Sequence, residues 1–197
     1  RRLYAYLGTG NFNEKNARIY ADHGLFTADP RLTAEVRLVF GYIVGEVENP
    51  VFEHLLVAPV NLRKGLYRFL DQEMEHATQG GTGYVVLKLN SLEDRKIINR
   101  LYDASNAGVK LRMIVRGICC LLPGVEGQSE NIYVTSIVDR FLEHARLYLF
   151  HNNGQEDLYV ASADWMRRNL SGRVEVAFPI YNPRIKQQLL DVLAIQI

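Results

Sequence analysis

Tyr84-Val85-Val86-Leu87-Lys88-Leu89 is an almost unbroken apolar run. A stretch with helical spacing, Leu92–Ala107, follows it, and then a second such run, Val109-Lys110-Leu111-Arg112-Met113-Ile114-Val115. A strand with one wet face alternates, whereas a run this continuous has both faces dry, as in a sheet covered by helices. Strand, helix and strand in this order predict an α/β fold with a mixed sheet flanked by helices. Upstream, Phe52–Val57 reads as a strand and Leu62–Ala77 as a helix with Asn61 as its cap. Downstream, Ile132–Thr135, Arg146–Phe150, Leu158–Ala161 and Val174–Phe178 read as strands and Pro183–Ile195 as a closing helix. No helix fits between Arg146–Phe150 and Leu158–Ala161, so a hairpin is expected, turned at Asn152-Asn153-Gly154. At the start, the strand Leu3–Leu7 is broken by Gly8-Thr9-Gly10-Asn11. Glu14–Tyr20 is a short helix or a loop, and Pro30–Tyr42 is a helix with Asp29 as N-cap and proline in its first turn. The polar segment Gly45–Pro50 is the expected linker between a unit at 1–50 and a unit at 51–197.

The bulk numbers narrow the function classes. Of 197 residues, 48% are hydrophobic and 23% charged, the balance of a globular protein. The net charge is +1, so no overall field favours nucleic acid, and any anion site must be built locally from Arg, Lys and His. Cys119 and Cys120 are adjacent and have no other cysteine to pair with, which fits a reducing cytoplasm. No apolar run approaches membrane-spanning length. The chain starts at Arg1, inside what already reads as a fold, which suggests a cut within a longer protein.

A shift of 153 residues lays the start of the chain on its end. Tyr6-Leu7-Gly8-Thr9-Gly10-Asn11-Phe12 falls on Tyr159-Val160-Ala161-Ser162-Ala163-Asp164-Trp165, and Pro30-Arg31-Leu32 falls on Pro183-Arg184-Ile185. Two matches at one shift, in the same strand-turn and helix-start contexts, point to a duplicated unit. In the second copy His144-Ala145-Arg146 opens the hairpin that leads to Ser162-Ala163-Asp164. The same shift puts its first-copy counterpart before Arg1.

Those residues carry chemistry. His144 and Arg146, two apart on a strand, would share a face. An imidazole titrating near neutrality can attack phosphorus or move a proton, and a guanidinium offers a fixed fork of donors to phosphate oxygens. The Thr/Ser and Asn/Asp of the two turns can fix the imidazole tautomer or donate to an oxyanion. Two copies face to face would form one site with two histidines. The plainer reading of His144 alone is a strand histidine satisfied by a neighbour.

Longer motifs agree. Tyr6–Asn13, Ala17-Arg18-Ile19-Tyr20-Ala21-Asp22, Leu25–Asp29, Leu87-Lys88-Leu89-Asn90, Val115–Cys119, Leu142–Arg146 and Ser162–Met166 together resemble, in order and over essentially the whole chain, the polyphosphate kinases that work through a phosphohistidine. The resemblance implies a phospholipase D-like fold, with the tail of a preceding similar domain at the N-terminus. It implies reversible transfer of the ATP γ-phosphoryl group to inorganic polyphosphate with Mg²⁺. The nucleophilic histidine and the Mg²⁺-contacting arginines would lie upstream of Arg1, so no metal ligand is assigned here. Tyr20 would contact the nucleotide, Arg116 its phosphates, and His144 would be the second active-site histidine, with Arg146 beside it. The expected partners are ATP or ADP and polyphosphate, not nucleic acid. The full-length enzyme would be a homo-oligomer with peripheral membrane association.

Each of these residues has a bland alternative. Tyr20 could be a packing aromatic, and Arg116, at the end of a strand, could form a salt bridge instead of an anion site. Strand C-termini in α/β sheets favour the anion site. Lys88 and Asn90 also end a strand and are weaker candidates for a polyphosphate path. Arg63-Lys64, Arg167-Arg168 and Arg37 read as solvated surface, and His23, His54, His76 and His151 as structural. Gly8-Thr9-Gly10 lacks the Lys-Ser/Thr ending of a phosphate-cradling loop. Two other functions compete: a phosphodiesterase on the same duplicated scaffold, and a non-catalytic nucleotide- or polyphosphate-binding module. Arg146 and Asp164, where phosphodiesterases of that scaffold usually have Lys and Asn, argue against the first.

Overall fold

The computed structural model describes residues 2–197. Its centre is a seven-stranded mixed sheet in the order β4 (Leu56–Ala58), β11 (Glu175–Pro179), β10 (Asp157–Ala161), β9 (Arg146–Phe150), β5 (Tyr84–Leu89), β6 (Lys110–Val115), β7 (Ile132–Thr135). β5, β6 and β7 run parallel, and the other neighbours are antiparallel. The apolar run in β5 is dry on both faces. Val85, Leu87 and Leu89 pack under α3 (Leu62–Thr78) and α4 (Arg95–Asn106), with Leu66, Phe69, Ile97 and Leu101. Val86 faces the opposite core, with Ile114, Leu149, Val160 and Phe178.

That second core is closed by two helices from opposite ends of the chain. Leu32 and Val39 of α2 (Pro30–Ile43) and Leu189 and Leu193 of α6 (Pro183–Gln196) share it, together with Leu7 of β1 (Ala5–Gly8). Burying each such side chain stabilises by about 1.5–3 kcal/mol, so residues 1–50 are fastened to the larger unit by a common core.

The duplication is present in the backbone. β1 pairs antiparallel with β3 (Gly24–Thr27) in the register Tyr6↔Phe26, Leu7↔Leu25, Gly8↔Gly24. At the same shift, β10 pairs with β11 as Tyr159↔Pro179, Val160↔Phe178, Ala161↔Ala177. The short helix α1 (Glu14–Ala17) corresponds to α5 (Arg167–Ser171), and α2 to α6, each of the latter capped by the side chain of Asp29 or Asn182.

Several boundaries differ from the sequence reading. The strand expected at Phe52–Val57 is confined to Leu56–Ala58 because the amides of Glu53, His54 and Leu55 donate to the buried carboxylate of Glu35 and cannot join a ladder. Asn61 precedes α3 but does not cap it. Its side chain accepts from Val57 N (2.6 Å) and donates to Leu55 O, holding the β4–α3 turn. The helix expected from Leu92 starts at Arg95, capped by Asp94, because Leu92 bridges Cys119 and Trp165. The β9–β10 hairpin is turned where expected, with Asn152, Asn153 and Gly154 all at positive φ.

Candidate active site

The chemistry-bearing side chains converge where the two copies meet, at the C-terminal ends of β5 and β6. The copies are joined there by a two-strand parallel pair: β2 (Tyr20–Ala21) lies on β8 (Leu142–Glu143), with Tyr20 opposite Leu142. The amides of His144 and Ala145 both donate to Ala21 O. His144 therefore lies between β8 and β9 instead of on a continuous strand with Arg146, and the strand argument for their shared face does not apply. They are neighbours all the same, with Arg146 Nη1 3.3 Å from His144 Nε2.

Asp22, the residue after β2, is carried to His144 by this pairing. Its Oδ1 lies 2.7 Å from His144 Nδ1 and also accepts from Thr9 Oγ1 at 2.6 Å. A carboxylate on Nδ1 fixes the tautomer with the proton there, so Nε2 presents its lone pair. Gly10 is what lets Asp22 sit so close: a Cβ at that position would lie 2.1 Å from Asp22 Oδ2. The Tyr20 ring packs on the imidazole, centroids 4.7 Å apart. Beside Asp22 and Tyr20 a cleft of about 500 Å³ opens between Tyr6, Asn11 and Phe12.

Arg146 and Asp164 form the buried floor. Arg146 Nη2 and Nε donate to the two carboxylate oxygens of Asp164, at 3.1 and 3.3 Å, and Nη1 donates to Thr9 O. Asp164 also accepts from the amides of Asn90 and Ser91. Most of the Arg146 fork is thus committed to protein. Arg116 is arranged differently. Its Nε donates to Glu143 O and Asn90 Oδ1, while both terminal nitrogens carry no hydrogen bond among the described residues. Asn90 Nδ2 donates to His144 O. Lys88 is buried in an ion pair with Glu143 and donates to Gln196 Oε1.

The repeat reappears in the side chains. Thr9 and Asp22 correspond to Ser162 and Glu175, and Ser162 Oγ donates to Glu175 Oε2 at 2.5 Å as Thr9 donates to Asp22. His23 N donates to Thr9 Oγ1 as Val176 N donates to Ser162 Oγ. The two copies therefore present the same hydroxyl–carboxylate pair, and in the first copy that pair reaches His144.

The structure gathers Tyr20, Asn90, Arg116, His144 and Arg146 in one place and sets Lys88 behind them, in the core. Sequence reasoning assigned no role to Asp22, having placed imidazole support on the turn residues. The signal was available, because the 153-residue shift lays Asp22 on Glu175, acid on acid. Among the described residues no three His, Cys, Asp or Glu side chains form a metal-binding group. Asp22 and Asp164 are both held by cationic or imidazole partners, so the donors here do not fit a Mg²⁺ site.

Comparison with known proteins gives this arrangement a family. The sequence family described as polyphosphate kinase C-terminal domain 2 matches residues 55–197, and C-terminal domain 1 matches residues 1–49. A polyphosphate kinase from Vibrio parahaemolyticus is 53% identical over 189 residues, 96% of this chain. The match covers 27% of that protein, so the chain spans about a quarter of the length of such relatives. The crystal structure of a polyphosphate kinase from Porphyromonas gingivalis superposes with a TM-score of 0.94 at 45% identity, over 98% of this chain and 30% of that one. Nuc from Salmonella typhimurium, a phospholipase D family member, shares the fold at a TM-score of 0.50 and 14% identity, over 70% of this chain and 88% of its own. The mixed sheet flanked by helices is phospholipase D-like, and the chain belongs to the polyphosphate kinase family.

Proposed function

We propose that the full-length protein containing this chain moves the γ-phosphoryl group of ATP reversibly to inorganic polyphosphate through a phosphohistidine, and that His144 is the second histidine of that site. The observation that carries the reading is the Asp22–His144 pair across the repeat boundary, with Arg116 anchored through Nε on the neighbouring Glu143 O. In this reading a histidine from the region preceding this chain attacks the γ-phosphorus. A P–N bond forms as the bond to the ADP oxygen breaks, and the phosphoryl group then passes to the terminal oxygen of the polymer. His144, with Nδ1–H held by Asp22 and Nε2 3.3 Å from Arg146 Nη1, exchanges the latter contact for the phosphate oxygens and manages their protons.

Arg116 grips phosphate through its two uncommitted nitrogens, each charge-assisted bond contributing about 1.5–3 kcal/mol. Arg146 acts mainly as the cation that keeps Asp164, Thr9 and His144 in place, and Tyr20 stacks at the nucleotide entrance. Mg²⁺ accompanies ATP and is held by residues outside this chain. Residues 1–50 are, in the same reading, the end of a first phospholipase D-like unit and 51–197 belong to the second. Tyr6, Phe12 and Phe26 are partly or largely exposed, whereas their counterparts Tyr159, Trp165 and Pro179 are buried.

The test is to incubate the full-length protein with Mg²⁺ and ATP labelled at the γ-phosphate. Acid-labile, alkali-stable label on the protein and a labelled inorganic polymer are expected. Absence of both, with cleavage of a phosphodiester substrate, would overturn the reading in favour of a phosphodiesterase.

A further inference from the structure

A groove of about 410 Å³ lies between the start of α4 and the start of α5, lined by Arg63, Glu93, Asp94, Arg95, Lys96 and Arg167. Its charges are unequally matched. Arg63 forks both nitrogens onto the two oxygens of Asp94 at 2.8 Å, which raises the arginine's pKa and lowers the carboxylate's. Asp94 also accepts from Ile97 N as the cap of α4, so that pair is neutral and its polar atoms are spent. The Glu93 carboxylate accepts from the Arg167 amide. Arg95, Lys96 and Arg167 have exposed side chains and no carboxylate within ion-pair distance among the described residues. With Arg63 and Asp94 cancelling, three free cations face one carboxylate in a chain whose total charge is +1.

The groove adjoins the proposed active site along two strand ends. Asn90 and Ser91 give their amides to Asp164, and the Glu93 and Asp94 amides both donate to Trp165 O. Arg167 follows Asp164 by three residues, and Glu93 follows Asn90 by three, so groove and floor are separated by at most about 10 Å of extended chain. Three exposed cations lining one groove, two from the start of α4 and one from the start of α5, draw a polyanion more strongly than a singly charged ion.

We propose that this groove is an accessory binding track for the polyphosphate chain, taking phosphates remote from the reacting end through Arg95, Lys96 and Arg167. The proposal rests on the polyphosphate kinase reading above. It is tested on the full-length enzyme by comparing R95Q/K96Q/R167Q with wild type, using ADP and polyphosphate of short or long defined length and measuring ATP formed. The three side chains are exposed, and a thermal melt checks that the variant is folded. The KM for long chains is expected to rise about fivefold to tenfold more than that for short chains, and the salt dependence of the long-chain KM to weaken. An R95K/R167K variant should keep the wild-type ratio. Equal effects on short and long chains, or none, would overturn the groove while leaving the kinase reading intact. Loss of single-stranded nucleic-acid binding without a change in the long-chain KM would also overturn it. A wild-type enzyme that makes no ATP from polyphosphate of either length would overturn the kinase reading itself.

Discussion

Asp22 and His144 are 122 residues apart in sequence and 2.7 Å apart in space, one from each copy of the repeat. The pair is assembled by the β2–β8 contact, and the Tyr20 ring packs on its imidazole. Its chemistry is that of a carboxylate orienting an imidazole: the ring is held in one orientation with its Nδ1 edge on the carboxylate. Thr9 on the same carboxylate oxygen fixes the orienting group in turn.

Gly10 should be sensitive for function but not for stability. A methyl group there meets the end of the Asp22 side chain, which can rotate away at little cost. Gly10→Ala in the full-length enzyme is expected to lower kcat about 10–100-fold, the range for losing a supporting group behind a functional histidine. The midpoint of urea unfolding should move little. A variant of unchanged kcat would mean that Asp22 need not touch His144.

Asp164 should behave in the opposite way. Its replacement by Ala leaves the Arg146 guanidinium buried without its counter-charge and orphans the Asn90 and Ser91 amides. Removing one partner of a buried pair costs about 3–5 kcal/mol. Urea unfolding of Asp164→Ala should show a loss of that order, and a loss below about 1 kcal/mol would show the pair to be hydrated.

These two residues also show what the sequence could and could not supply. The apolar continuity of β5 and β6 and the shifted match of Tyr6–Phe12 on Tyr159–Trp165 made the layer architecture and the duplication legible, because both are local patterns. His144, Arg116 and Tyr20 were singled out through the motif resemblance, and the structure brings them near one another. Pairing was not legible, since it is decided by tertiary contact. Arg146 reads as a free phosphate fork until Asp164 is seen on it, and Asp22 reads as a loop acid until β2 lies on β8. The Phe52–Leu55 segment has strand composition and is still not a strand, because a carboxylate 18 residues upstream captures its amides.

Stability should fall as the pH drops below about 6.5. His23 lies against the apolar cavity formed by Leu25, Val160 and Leu189. Burial first, and then the Lys88 charge, hold its pKa below the usual 6.5, against the smaller opposing pull of Asp22 and Glu143. Between that lowered value and 6.5 the unfolded chain binds a proton that the folded chain does not, so stability rises with pH through that window and is fully present above it. His23→Gln is expected to flatten this part of the pH–stability curve. An unchanged slope would place the titration elsewhere.

Asp22 and His144 are expected to act as one unit across the two copies. A double-mutant cycle on the full-length enzyme tests it, with polyphosphate synthesis measured for Asp22→Asn, His144→Gln and the double variant. If the carboxylate works through the imidazole, each single change lowers kcat substantially and the double variant is no slower than His144→Gln alone. Losses that multiply in the double variant would show two independent contributions, and the cross-repeat pair would then be a structural contact without a catalytic role.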